Sequence, residues 1–151
     1  MTRLLRAYLC VNFGAAAFQK PETGYRFEAR LQLINAGQTP GYKVGFRAHA
    51  DVLPFPLPQD FDFSLPDIPF GSETTLGHGQ HMILTGIVDR VYSEQEVTEI
   101  RSGAKRLYMF GTATYEDVYR VSRYTNFCFS ILWLADGNSM GLFTKRHNDA
   151  N

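Results

Sequence analysis

Polar and apolar residues alternate with a period of two along most of this chain. The clearest run is Tyr25 to Leu33: Tyr25, Phe27, Ala29, Leu31 and Leu33 point one way, and Arg26, Glu28, Arg30 and Gln32 the other. Side chains alternate across a pleated strand, so the run predicts a half-buried strand with one wetted face. Asn35-Ala36-Gly37-Gln38-Thr39-Pro40-Gly41 reads as a turn, with Gly and Pro supplying the special backbone angles. Alternation resumes with Tyr42, Val44, Phe46 and Ala48 inward and Lys43, Arg47 and His49 outward. The two strands and their turn make either a hairpin or a connection between sheets. Leu9, Val11 and Phe13, opposite Tyr8, Cys10 and Asn12, predict a first strand, followed by a loop over 14–24.

The second half repeats the pattern. Glu73 to Leu76, Met82 to Val88, Leu107 to Tyr115, Tyr124 to Leu134 and Met140 to Phe143 are strand candidates. A polar turn is expected near Tyr119 to Arg123, and Asp136-Gly137 signals a hairpin. One helix interrupts them at about 93–102. Ser93 and Glu96 form a capping box, Val97 and Ile100 share a face, and Gly103 stops the helix. The tail from Lys145 to Asn151 is polar and is expected to fray. About seven to nine short strands without a βαβ rhythm predict an all-β antiparallel sandwich, with a closed barrel as the alternative.

One stretch breaks the rhythm. Five of the seven prolines fall between Pro54 and Pro69, and proline removes ladder donors, so this is not a central strand. It is also rich in apolar groups: Leu53, Phe55, Leu57, Phe61, Phe63, Leu65, Ile68 and Phe70. The reading is an extended, ordered connection against the sandwich. The alternative is a loop that buries its aromatics only against a partner.

Composition adds bounds. A chain of 151 residues suits a single domain, 1–151, and 44% apolar content offsets chain entropy. Net charge is zero and the pI about 6.9, which argues against a dedicated nucleic-acid binder. The opening MTRLLRAYLCVNF lacks a secretory pattern, and no run approaches the roughly 20 apolar residues of a membrane span. The chain reads as soluble as given, or as the soluble part of a longer anchored protein.

Candidate chemistry is sparse. Cys10 and Cys128 lie in strand-like runs without a CxxC pair. They read as two buried free thiols, or as one disulfide if their strands adjoin. His78 and His81 have a usable metal spacing but no carboxylate or thiolate beside them. His147, Asp149 and Ser139 are close in sequence, yet a triad is a matter of geometry. No phosphate-cradling glycine motif occurs, Asp60 and Asp62 lack a calcium-loop pattern, and Glu94 and Glu96 suit a helix N-terminus. No catalytic residue, metal ligand or cofactor is assigned. Arg26, Arg30, Lys43 and Arg47 form the one cluster of interest: if their strands pair, they share an outward face suited to an acidic partner or lipid head groups.

Several short segments, in order, carry a resemblance. Ile34 to Val44 is similar to an "N-x-G-x-T-P-x-Y-x-V" turn; Arg6-Ala7-Tyr8, Leu107 to Gly111, Tyr115 to Val118, Phe127-Cys128-Phe129 and His147 to Ala150 match further motifs of the same set. Together they resemble an uncharacterised bacterial protein family. The resemblance implies an immunoglobulin-like C-terminal domain, often membrane-anchored by one or two N-terminal helices that this sequence does not contain. The family brings no activity to transfer. Trp133 follows Cys128 instead of lying between the two cysteines, a departure from the antibody pattern.

The expected function is therefore a non-enzymatic interaction or ligand-binding module, with a protein partner or membrane proximity. The second reading is a small-ligand binder or enzyme with a pocket between the proline-rich segment and the sandwich, where two or more of His49, His78, His81, Asp60 and Glu116 converge. A third is a homo-oligomer joined through the proline-rich aromatics.

Overall fold

The computed structural model describes residues 6–19, 26–65, 73–87, 91–134 and 138–151. Among these, alternation produces eight strands in two antiparallel sheets. The smaller sheet holds β1 (Leu9–Gln19), β2 (Arg26–Asn35) and β5 (His81–Ile87), in the order β1-β2-β5. The larger holds β3 (Gly41–Pro54), β4 (Thr74–Leu76), β6 (Lys105–Glu116), β7 (Ser122–Trp133) and β8 (Ser139–Phe143), in the order β4-β3-β6-β7-β8. The expected sandwich is thus present. Its core is the alternating inner rows: Phe27, Leu31 and Leu33 of β2 against Leu107 and Met109 of β6 and Phe127 and Phe129 of β7, all at most 1% exposed. Each such side chain contributes about 1.5–3 kcal/mol on burial. Phe27 meets Tyr92 and Trp133 edge-on, each at 5.5 Å between ring centroids.

The turn at 35–41 crosses between the sheets. Asn35 is fully buried and drives the crossing. Its Oδ1 accepts from the amides of Gly37 and Tyr8, and its Nδ2 donates to the carbonyls of Thr39 and Leu76. A Cβ on Gly37 would run into the backbone of Arg6, Ala7 and Tyr8, so only glycine lets the turn lie flat against the start of β1. The Asn-x-Gly of the sequence is therefore a backbone clamp.

The helix α1 (Glu94–Ser102) follows its local signals closely. Ser93 caps it, Glu96 closes the capping box, Val97 and Ile100 are buried, and Gly103 takes the left-handed φ of 90°. It connects β5 of one sheet to β6 of the other.

Four expectations are corrected. Residues 14–19 are strand, not loop: β1 continues past a register slip at Gly14 and pairs with β2 as far as Gln19. Gly14-Ala15-Ala16-Ala17 has little intrinsic strand preference, and pairing overrides it. Tyr42 is not in the inner row, because β3 slips register between Tyr42 and Gly45 with Lys43 at φ 50°. Residues 51–54 of the proline-rich stretch belong to β3, with Pro54 at its last position. The polar tail is docked, not frayed. Asn148 Oδ1 accepts from the Cys128 amide and its Nδ2 donates to the Cys128 carbonyl, both at 3.0 Å, and Ala150 bridges Thr125. Tyr25, Ile68, Phe70, Val88 and Asp136-Gly137 lie outside the described residues.

The β6–β7 turn hangs on Asp117, whose side chain is fully buried. Burial alone would raise its carboxyl pKa. The amides of Val121 and Tyr119 and the Arg123 guanidinium at 3.1 Å outweigh this and hold it below the ordinary value. A lowered folded value means stability that is fully present above the ordinary carboxylate value of about 4 and lost as pH falls through the folded value. Asp117→Asn should therefore cost about 1.5–3 kcal/mol at pH 7 and flatten the acid limb of the stability curve, as read by urea denaturation between pH 2 and 7. An unchanged acid limb would remove Asp117 from this role.

Candidate functional site

The outer face of the larger sheet is not uniformly wet. Tyr108 and Phe110 of β6 and Cys128 of β7 are buried there as a second apolar cluster, covered by Leu53, Leu57, Phe61, Phe63 and Leu65. The connection that follows β3 therefore lies on its own sheet, as one of the two sequence readings has it. Phe61 and Phe63 meet Phe110 edge-on at 5.7 and 5.6 Å. The tail adds His147, whose ring stacks flat on Phe63 at 4.6 Å and whose Nε2 lies 3.1 Å from the Gly111 carbonyl. Arg146 binds the connection to the tail by donating to the carbonyls of Gln59 and Pro58, at 2.5 and 2.6 Å.

Beside this cover a groove of about 700 Å³ stays open, within the roughly 300–1,000 Å³ of small-molecule sites. One wall is Phe55, Pro56, Leu57 and Phe63 of the connection; the other is Leu142 and Phe143 of β8 with Thr144, Lys145 and Arg146 of the tail. Arg106, Tyr108 and Ser130 form the floor. The strand pleat puts them together: Tyr108 is directly opposite Ser130 in the β6–β7 ladder, and Arg106 is two residues along the same face.

The floor is a set of hydrogen-bond donors. Arg106 stacks its guanidinium 3.5 Å from the Phe55 centroid, donates from Nη1 to Ser130 Oγ at 3.4 Å, and has a buried Nε with no acceptor among the described residues. Tyr108 is 1% exposed, and its hydroxyl has no hydrogen-bond partner among the described residues. Burial pushes its phenol up to about 12, against the opposing pull of Arg106 and with a smaller push from Cys128, so it stays protonated and donates. Among the described residues three cations line the groove, Arg106, Lys145 and Arg146, and no Asp or Glu does. Asp51, opposite Tyr108 in the β3–β6 ladder, turns its carboxylate to the Val52 amide at 2.8 Å.

The four cations singled out from sequence do not form one face. Arg26 and Arg30 are on β2 of the smaller sheet; Lys43 and Arg47 are on β3 of the larger. The shared face required a hairpin, and the Asn35 clamp makes a crossing instead. Arg30 pairs with Glu28 at 3.1 Å and Lys43 with Glu116 at 3.7 Å. The five residues expected to converge in a pocket are also dispersed. His78 binds the Gly37 carbonyl at 2.5 Å, Glu116 also approaches Arg120, His49 packs on Phe110, and none of the five lines the groove. His147, Asp149 and Ser139 separate as well: Asp149 accepts from Asn126, and Ser139 donates to the Ala16 carbonyl. Among the described residues no three His, Cys, Asp or Glu side chains gather as a metal site. The groove floor escaped sequence reasoning because Arg106, Tyr108 and Ser130 sit in ordinary alternating strands and only the covering of the sheet sets them apart.

No family model matches this chain, and no curated protein or solved structure is significantly similar to it.

Both thiols are free; Cys10 is exposed on β1, contrary to the expectation of two buried ones, and Cys128 is buried. Burial pushes the Cys128 thiol up to about 11, with the Thr144 hydroxyl and Arg146 opposing. A maleimide at pH 7 should label Cys10 in the native protein and Cys128 only after unfolding, as read by mass spectrometry of digested protein. Rapid native labelling of Cys128 would mean that the tail does not stay docked.

Proposed function

We propose that this chain is a non-enzymatic ligand-binding module on an immunoglobulin-like sandwich, with the groove between the 55–63 connection and the tail as its binding site. One observation carries this reading: an open, mostly apolar groove with a convergent set of polar donors on a rigid sheet floor. Donors and apolar walls retain and orient a ligand. The immunoglobulin-like assignment draws on strand order. The sheets β1-β2-β5 and β4-β3-β6-β7 follow the A-B-E and C′-C-F-G pairing of that class, with β8 added at the edge. The motif resemblance to anchored bacterial proteins favours a module working beside a membrane. Among the described residues no helix is long and apolar enough to cross one.

The test is binding of a neutral apolar fluorophore, N-phenyl-1-naphthylamine. The native protein should enhance its emission saturably. Leu142 is 38% exposed on the groove wall, so Leu142→Asp leaves the core intact and should weaken binding about tenfold, the equivalent of losing most of one buried side chain's contribution. Saturable binding that is indifferent to Leu142→Asp would place the apolar site elsewhere.

A further inference from the structure

Resting on that reading of the groove, we infer that its occupant is an amphiphile with a single carboxylate head seated at Arg106, Tyr108 and Ser130 and an apolar body along Phe55, Leu57 and Leu142. Two independent observations point to the head. The first is unmet donor capacity on the floor: the Arg106 Nε is buried without an acceptor among the described residues, and the hydroxyl of Tyr108, a groove-lining residue, has no protein partner among them. Buried polar groups are nearly always satisfied, so the open Arg106 Nε marks a floor where an acceptor belongs. The second is charge. Arg106, Lys145 and Arg146 line a groove with no carboxylate among its described lining residues, while the chain as a whole is neutral. The positive field is therefore local to this groove.

Head chemistry follows from donor type. Arg106 and Tyr108 present protons, and Ser130, whose Oγ already accepts from Arg106, has its own proton to give. A head that only accepts fits all three; an alcohol or ammonium head does not. The Arg106 guanidinium is held by Phe55 on its face and by Ser130 at Nη1. A planar, pre-oriented guanidinium matches a planar carboxylate better than a mobile ammonium would. Body chemistry follows from the walls, which are aromatic and aliphatic on both sides.

The experiment compares dodecanoate, dodecanol and dodecyl phosphate by displacement of N-phenyl-1-naphthylamine at pH 7.5, below their critical micelle concentrations. Dodecanoate should bind at least about tenfold more tightly than dodecanol, the value of one charge-assisted hydrogen bond, and no more weakly than dodecyl phosphate. Tyr108→Phe preserves shape and Arg106→Gln removes the charge. Each should cut the dodecanoate-to-dodecanol preference severalfold, a ratio that reads the head contact apart from any change in groove affinity common to both ligands. Equal binding of dodecanol and dodecanoate, or a preference untouched by both variants, overturns the carboxylate assignment while the groove reading stands. A strong preference for dodecyl phosphate overturns the carboxylate in favour of a phosphate head. Failure of the fluorophore and all three amphiphiles to bind overturns the groove reading, and this inference with it.

Discussion

Phe110 is the side chain on which the outer half of the molecule is assembled. It stands on the outer face of the larger sheet, a face that solvent would otherwise wet, and is 3% exposed. Phe61, Phe63 and His49 meet it edge-on, and His147 approaches at 6.5 Å. A proline-rich connection has few backbone hydrogen bonds to hold it in place. Its position here comes from aromatic packing on Phe110 and from two carbonyls that accept from Arg146. The tail, in turn, depends on the connection, because His147 stacks on Phe63. Connection and tail brace each other, and the gap between them is the groove.

That arrangement divides the polar residues by task. Asn35, Asp117 and Asn148 act as backbone mimics: each satisfies amides or carbonyls at a turn or strand edge where the ladder stops. These are also the residues of the sequence's most distinctive short segments. Those short segments therefore close the sandwich at its turns and strand edges. Donors of the groove floor are without such duties. Among the described residues the Arg106 Nε is buried without an acceptor, and the Tyr108 hydroxyl has no protein partner.

What could be read from sequence was what is locally determined. The helix from Ser93 to Gly103 was legible to its caps, since capping is a matter of three or four neighbouring residues. The inner row of β2 was legible because alternation is a property of one strand. Partner choice is not local. The Asn35 turn looked like a hairpin or a crossing until Leu76, 41 residues away, supplied an acceptor for Asn35 Nδ2. The four-cation face failed with that choice. The groove joins residues near 55–63, 106–108, 130 and 142–146; no spacing rule connects them. Its existence depends on a connection covering part of a sheet face and leaving the adjacent part open. The proline-rich stretch signalled a covering segment, and the location of its uncovered margin needed the packing of Phe61 and Phe63.

The central claim is that this margin is a binding site. Backbone amide NMR during titration with dodecanoate tests it most directly. The account predicts shift changes concentrated at Phe55, Leu57, Gln59 and Phe63, at Arg106 and Tyr108, at Ser130, and from Leu142 to Arg146, with the smaller sheet unmoved. Changes centred on Arg26 and Arg30 of β2, or none at saturating dodecanoate, would contradict it.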